Sequence, residues 1–186
     1  MKRLGELLNG LDAKVNELPI SGMAVDSRQV KPGTLFVALK GVHHDGHDHG
    51  AAAVRAGAVA IVAEKPLAVS VPVLVVPSTL AALSGLAARF YGFPSRSMDV
   101  VGITGTNGKT TITSMLEKVW QEDQTPGGVM GTIDYRWNNQ SEKAPNTTPH
   151  ALDVQRLLAA MAADGVKRVA MEVSSHALAL GRVEDV

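Results

Sequence analysis

The stretch that most constrains the fold is VVGITGTNGKTTITSM, at residues 100–115. An apolar run of strand character ends in a glycine-rich turn, and a segment of helical character begins at Lys109. Glycines let backbone amides curl towards an anion, the amino end of a helix adds partial positive charge, and Lys109 adds a full one. The stretch therefore predicts a strand–loop–helix unit that binds phosphate, with the hydroxyl of Thr110 available to a magnesium ion.

The glycine spacing departs from the general phosphate-binding loop, which has a glycine at the position that Ile103 occupies. The variant consists of residues 105–110, Gly-Thr-Asn-Gly-Lys-Thr. The alternative is a plain strand–turn–helix that contains glycines by chance. We favour phosphate binding because the strand, the glycine spacing, the lysine and two threonines coincide.

Composition excludes several classes of protein. Lysine plus arginine and aspartate plus glutamate each number 18, so no net charge attracts nucleic acid or an anionic membrane. The absence of cysteine excludes disulfides, thiolate metal sites and cysteine nucleophiles. The amino end is typical of an amphipathic helix rather than a signal peptide, and no apolar run approaches the roughly 20 residues that span a bilayer. We therefore expect a soluble, cytoplasmic protein.

The order of apolar and Ala-rich segments predicts an α/β fold in two domains. Residues 1–96 alternate short strands with helices, as in a small layered α/β domain. Gly92 and Pro94 interrupt that pattern, and the strand–helix order then restarts in residues 97–186. Because this second region holds too few strands for a full sheet, we expect an incomplete α/β domain with an open sheet edge.

The heptad GTNGKTT resembles the ATP-binding loop of the Mur ligases, the ATP-dependent amide-forming enzymes of peptidoglycan synthesis, and folylpolyglutamate synthetases carry a related loop. Four further stretches narrow the resemblance: DSRQVKPGTLFVALKG, VMGTI, NTTP and MEVSSHALALGRV. With them, the chain is similar in collinear order to the amino-terminal portion of the UDP-N-acetylmuramoyl-tripeptide synthetases. The resemblance implies that residues 1–96 bind UDP-MurNAc and that residues 97–186 begin the ATP-binding central domain.

The resemblance implies an ATP-dependent ligase that joins UDP-MurNAc-L-Ala-D-Glu to a diamino acid, either meso-diaminopimelate or L-lysine. ATP, with Mg²⁺ as cofactor, would phosphorylate the D-Glu carboxylate, and the amine would then displace phosphate from the acyl phosphate. The implied partners are these small molecules, without nucleic acid or membrane insertion, and we expect a monomer. Since family members continue much further, we expect these 186 residues to be a truncated portion that does not catalyse.

The resemblance also implies roles for particular residues. Lys109 and Glu172 are the implied catalytic residues, and Thr110 and Glu172 are the implied Mg²⁺ ligands. The implied ATP-binding residues are Gly105, Thr106, Asn107, Gly108, Lys109, Thr110 and Thr111. The implied substrate-binding residues are Val25, Ser27, Val42, His43, His44, Asn146, Thr147, Thr148, Ser174 and Arg182.

Local chemistry gives some of these residues alternative explanations. If the strand that ends at Glu172 is parallel to the phosphate-loop strand and close to it, its carboxylate lies beside Thr110; otherwise it is a solvated glutamate at a strand end. Thr148 precedes Pro149 and is predicted to cap the following helix. Arg182 suits a carboxylate or pyrophosphate partner, or else lies on the surface.

Four of the six histidines lie in GVHHDGHDHG, at residues 41–50. This stretch is either a metal site or a loop that closes on the uridine and pyrophosphate of the substrate. Four histidines so close in one loop do not converge easily on one ion, and no cysteine assists them. The resemblance favours the nucleotide-sugar loop, in which an Asp-Gly pair turns the chain and Asp48 caps the next helix.

Three alternative functions stay open on the sequence. The chain could be a nucleotide-sugar-binding fragment without turnover, another P-loop NTPase, or a ligase similar to folylpolyglutamate synthetase. An NTPase switch predicts hydrolysis without any muramoyl substrate. The shifted glycine and the stretch EVSSHAL disfavour it.

Overall fold

The computed structural model describes residues 1–8, 10, 12–41, 44–125 and 127–186. They form two compact units, Met1–Phe90 and Tyr91–Val186. Both units place helices beside parallel strands, which confirms the predicted α/β class. No helix in the described part of the chain is both long and apolar enough to cross a membrane.

The first unit is built on a four-stranded parallel sheet in the order β3–β4–β5–β6, preceded by a small antiparallel pair, β1–β2. The elements are β1 (Lys2–Arg3), α1 (Leu4–Leu7), α2 (Ala13–Asn16), β2 (Pro19–Ile20), β3 (Gly22–Ala24), β4 (Thr34–Val37), α3 (Gly50–Arg55), β5 (Ala58–Ala63), β6 (Val73–Val75) and α4 (Thr79–Tyr91). Short 3₁₀ turns lie at Ser27–Gln29 and Gly46–His49. The strands are nearly continuous apolar runs because helices and loops cover the sheet; Phe36, Ala53 and Ile61 pack together in its core.

The second unit contains a five-stranded mixed sheet in the order β10–β9–β8–β11–β7. After a 3₁₀ turn at Pro94–Ser97, its elements are β7 (Asp99–Ile103), α5 (Lys109–Glu122), β8 (Gly128–Met130), β9 (Asp134–Trp137), β10 (Gln140–Lys143), α6 (Ala151–Ala163), β11 (Arg168–Glu172) and α7 (Ser175–Ala179). Strands β7, β11 and β8 are parallel, and β9 and β10 form an antiparallel hairpin. β7 ends the order, so the described residues show the expected open edge.

Two features of the second unit position its polar residues. Helix α6 buries Val154, Leu157, Leu158 and Met161, which recur at helical spacing and pack on the sheet. The register of β11 on β7 pairs Glu172 with Ile103, so both strands end at the same edge. Polar residues that follow these strands therefore meet there, as is usual at the carboxyl edge of a parallel sheet.

Candidate functional site

The loop between β7 and α5 has the backbone that phosphate binding requires. Gly105 (φ 148°) and Gly108 (φ 81°) adopt conformations that side chains disfavour. Gly108 immediately precedes α5, so the free amides of the first helical turn face the loop. The ammonium group of Lys109 donates a hydrogen bond to the carbonyl of Gly105, at 2.8 Å. The loop is thus an anion cradle with a lysine across it.

Glu172, the last residue of β11, lies beside this cradle. Glu172 is only 1% exposed, so the alternative that it is a solvated glutamate at a strand end is wrong. The hydroxyl of Thr110 lies 3.0 Å from each of the two carboxylate oxygens of Glu172. The prediction that the carboxylate of Glu172 lies beside Thr110 is therefore confirmed.

Thr132, which was not among the site residues predicted from the sequence, also contacts this carboxylate. Its backbone N–H donates to Oε1 of Glu172 at 2.9 Å, and its hydroxyl donates to Oε2 at 3.0 Å. Thr132 follows β8, which runs parallel to β11 and ends at the same sheet edge. The available signal was a Gly-Thr pair directly after an apolar strand of the same sheet.

The stretch Asn146–Pro149 is tied to the end of β11 through Thr148. Thr148 is 1% exposed; its hydroxyl donates to the carbonyl of Glu172 at 2.8 Å and accepts from the N–H of Ser174 at 3.0 Å. The prediction that Thr148 caps a helix is therefore wrong. α6 begins two residues after Pro149, at Ala151, without a side-chain cap, because the partners of Thr148 come from β11 instead.

One cavity of about 380 Å³ gathers most of the residues implied for ATP, Mg²⁺ and the dipeptide. It is lined by Thr106, Asn107, Gly108, Lys109, Thr110, Thr111, Thr132, Thr147, Glu172 and Ser174. Its lining is hydroxyl-rich and contains one carboxylate and one ammonium group. Such a surface suits a phosphate chain and a cation bound to it.

Three predicted residues lie behind this lining or on its margin. Arg182 is 9% exposed and donates from Nη1 to the carbonyl of Thr148 at 2.9 Å; burial lowers the pKa of its guanidinium. Its Nε has no hydrogen-bond partner among the described residues. The carbonyl of Asn146 accepts from the hydroxyl of Tyr135. These contacts shape the stretch that carries Thr147.

The donor set at Glu172 fits magnesium. No group of three His, Asp or Glu side chains that could hold a metal occurs within the described residues, so a protein-only metal cage is not formed there. Proteins usually bind Mg²⁺ through one or two carboxylates together with phosphate oxygens and waters. Glu172, buried among hydroxyls and one amide, would supply such a carboxylate, and Thr110 would supply a hydroxyl from the first turn of α5.

The first unit contains a second cavity, of about 510 Å³. It is lined by Val25, Asp26, Ser27, Arg28, Phe36, Leu39, Gly41, His44, Gly46 and His49. Three predicted substrate-binding residues, Val25, Ser27 and His44, thus share one cavity, whereas Val42 and His43 lie outside the described residues. The guanidinium of Arg28 and its backbone N–H bind Asp26 and lower the pKa of that carboxyl to about 2.

The histidine-rich loop is held to the sheet by His47, which is 5% exposed. Its Nε2 accepts from the N–H of Glu64 at 2.8 Å, so its Nδ1 carries the hydrogen that binds Asp45. Asp45 also accepts from the backbone N–H of His47, and it therefore caps the 3₁₀ turn. The prediction that Asp48 caps the next helix is wrong, since α3 begins at Gly50 without a side-chain cap.

The second unit, with its phosphate loop and a buried carboxylate at the end of the adjacent strand, defines a P-loop nucleotide-binding α/β protein. Comparison with known families narrows this class. Residues 103–186 match the Mur ligase middle domain, and residues 19–91 match the domain described as "Mur ligase family, catalytic domain". The chain belongs to the Mur ligase family, as the resemblance implied.

Curated relatives carry one common name, UDP-N-acetylmuramoyl-L-alanyl-D-glutamate–2,6-diaminopimelate ligase. The protein from Lactiplantibacillus plantarum is 45% identical over 184 residues, which cover 96% of this chain and 37% of the relative. The protein from Geobacillus thermodenitrificans is 49% identical over 164 residues, which cover 88% of this chain and 34% of the relative. The chain thus spans about a third of the length of the curated relatives that it matches.

Two solved structures of Mur ligases are also similar to this chain. A UDP-N-acetylmuramoyl-L-alanyl-D-glutamate–2,6-diaminopimelate ligase superposes with a TM-score of 0.84 at 28% identity, over 100% of this chain and 39% of that one. The MurF ligase from Thermotoga maritima, solved in complex with ADP, gives a TM-score of 0.58 at 26% identity, over 85% of this chain and 32% of that one.

Proposed function

We propose that this chain carries the nucleotide and nucleotide-sugar sites of an ATP-dependent ligase that adds meso-diaminopimelate to UDP-MurNAc-L-Ala-D-Glu in peptidoglycan synthesis. One observation supports this most directly: the buried carboxylate of Glu172 faces Thr110 in the cavity that Thr147 and Ser174 also line. The relatives at 45% and 49% identity are named for 2,6-diaminopimelate, which favours that amine over L-lysine.

The phosphate loop holds ATP in this proposal. The amides of Gly105 to Thr111 bind the β- and γ-phosphates, and the ammonium group of Lys109, which contacts the Gly105 carbonyl, binds a phosphate oxygen. Thr110 and Glu172 would hold Mg²⁺, which takes oxygen ligands of this kind. When bound there, the ion would supply positive charge that stabilises the phosphoryl group in transfer.

Other residues of the same cavity bind the acceptor of the phosphoryl group, which is the D-Glu carboxylate of the substrate. A carboxylate is a poor acylating agent, and its phosphorylation supplies the leaving group that the incoming amine displaces. Thr147 and Ser174 bind the D-Glu end of the substrate near the γ-phosphate, within the 380 Å³ cavity. Thr148, Asn146 and Arg182 hold the stretch that carries Thr147 in place through the contacts described above. Bringing the two anions together in fixed geometry lowers the entropic part of the barrier.

The cavity of the first unit takes the UDP-sugar end of the substrate. Ser27 offers a hydroxyl, His44 a ring nitrogen and Val25 an apolar wall. Val42 and His43 are assigned to the same loop by resemblance. We also propose that the protein is a cytoplasmic monomer. The equal numbers of acidic and basic residues suggest that it binds no nucleic acid.

Calorimetric titration of this chain with UDP-MurNAc-L-Ala-D-Glu, with and without Mg-ATP, tests the proposal. We expect Ser27→Ala and His44→Ala to weaken binding of the nucleotide sugar, and Ser70→Ala, an exposed serine outside the cavity lining, to leave it unchanged. We expect Glu172→Gln to weaken magnesium-dependent ATP binding. A folded chain that binds neither ligand refutes the proposal, and ATP hydrolysis without the muramoyl substrate would favour an NTPase instead.

A further inference from the structure

The carboxylate of Glu172 can bind a metal only if something fixes its direction. A glutamate side chain has several rotatable bonds, and an ionised carboxylate presents about four lone-pair positions around its two oxygens. A buried metal ligand is therefore oriented by neighbouring groups that occupy the lone pairs not used by the ion. Thr132 has the geometry for this task.

Thr132 binds both oxygens of the carboxylate at once. Its N–H reaches Oε1 of Glu172 at 2.9 Å and its hydroxyl reaches Oε2 at 3.0 Å, so one residue fixes the rotation of the carboxylate plane. The remaining lone pairs are available to Thr110, which lies 3.0 Å from each oxygen. The single hydroxyl hydrogen of Thr110 cannot donate fully to both oxygens, so this contact is the one that a cation can replace.

The backbone before Thr132 is shaped around the same carboxylate. A Cβ atom on Gly131 would lie well inside van der Waals contact with Oε1 of Glu172, so a larger residue here would force the carboxylate to shift. Glycine at this position lets the backbone approach the carboxylate closely while the next residue binds both oxygens. The Gly-Thr pair after β8 is thus fitted to the carboxylate at the end of β11.

The hydroxyl of Thr132 has one hydrogen and can donate it to only one acceptor. A carboxylate only accepts hydrogen bonds, so this hydrogen is donated to Glu172. The Thr132 oxygen therefore accepts from the hydroxyl of Thr147, 3.1 Å away. Thr132 joins the proposed metal ligand to the stretch that carries Thr147, and both groups line one cavity.

We propose that Thr132 is a positioning residue that aims the carboxylate of Glu172 at the divalent cation of the bound nucleotide. This inference rests on the proposed function, because it requires a nucleotide–metal complex in the cavity. Thr132 acts through Glu172, since its N–H and its hydroxyl both bind that carboxylate. Removal of its hydroxyl therefore weakens the metal-dependent part of nucleotide binding and spares the metal-independent part.

The test compares the affinity of the 186-residue chain for ADP in the presence of Mn²⁺ and in the presence of EDTA, by calorimetry. We expect Thr132→Val, which keeps the shape and loses the hydroxyl, to weaken Mn²⁺-ADP binding by about 10- to 100-fold and to leave ADP binding in EDTA unchanged. Thr132→Ser keeps both donors and should restore the affinity. Thr125→Val is the matched control, since Thr125 is exposed and contacts Arg168 instead of the cavity.

Each other result overturns the inference in a distinguishable way. Equal losses with Mn²⁺ and with EDTA would show a structural role for Thr132, as would failure of both Thr132→Val and Thr132→Ala to fold. An unchanged Mn²⁺-ADP affinity in a folded Thr132→Val variant would show that Glu172 needs no such support. If the unaltered chain bound ADP no better with Mn²⁺ than with EDTA, the proposed function would fail and this inference with it.

Discussion

Replacement of Thr148 by valine tests how the end of β11 is held to the stretch before α6. Valine has nearly the shape of threonine but lacks the hydroxyl that donates to the Glu172 carbonyl and accepts from the Ser174 N–H. Because Thr148 is 1% exposed, little water can replace these bonds. Each of these two groups costs about 1–3 kcal/mol when it is left without a partner, so we expect a total loss of about 2–6 kcal/mol.

Thr148→Ser is the matched comparison. Serine keeps the hydroxyl and removes one buried methyl group, which costs about 1 kcal/mol. The sequence contains two tryptophans, and both Trp120 and Trp137 are buried in the second unit, so tryptophan fluorescence reports on that unit alone. With a urea dependence of about 2 kcal/mol per molar, Thr148→Val should lower the urea midpoint by about 1–3 M, and Thr148→Ser by about 0.5 M. A valine variant at least as stable as the serine variant would refute the hydrogen-bond argument.

Three further predictions concern the two cavities. Gly131→Ala should displace the Glu172 carboxylate and weaken Mn²⁺-ADP binding by about tenfold or more, with ADP binding in EDTA as the control. His47→Ala should leave the N–H of Glu64 without a partner and open a small void, so hydrogen–deuterium exchange in residues 44–64 should become faster; unchanged exchange would contradict the assigned role of His47. Hydrogen bonds from His47 lower the pKa of Asp45 to about 2 from its usual 3.8, so its stabilising contribution is complete above pH 3.8 and is lost as the pH falls towards 2. Asp45→Asn should reduce the loss of stability of the first unit between pH 5 and pH 2, which amide exchange at several pH values can measure.

The phosphate loop could be predicted because its chemistry is local. Gly105, Gly108, Lys109 and Thr110 lie within six residues, and the loop conformation depends on the backbone freedom of the glycines and the start of one helix. The apolar runs similarly predicted strands in both regions, although not the short antiparallel pair β1–β2 near the amino end. These inferences needed no knowledge of which strands are neighbours.

The position of Glu172 beside the phosphate loop could be predicted only if the pairing of its strand was assumed. Its strand had to be parallel and adjacent to β7, and the register that pairs Glu172 with Ile103 meets that condition. Thr132 was missed because it is 40 residues from Glu172 along the chain and comes close only through the parallel pairing of β8 with β11. No local pattern specifies which strand ends share a sheet edge.

The local rules failed where a tertiary partner was available. Thr148 has the sequence context of a helix cap, yet its hydroxyl binds the end of β11. Asp48 was predicted to cap α3, which has no side-chain cap; Asp45 instead caps the preceding 3₁₀ turn, which His47 connects to Glu64. The sequence by itself determined the α/β class, the phosphate loop and the identity of the polar groups, because these follow from periodicity and backbone freedom. Only the tertiary structure decided which of those groups meet, because hydrogen-bond partners distant along the chain become neighbours through strand order and register.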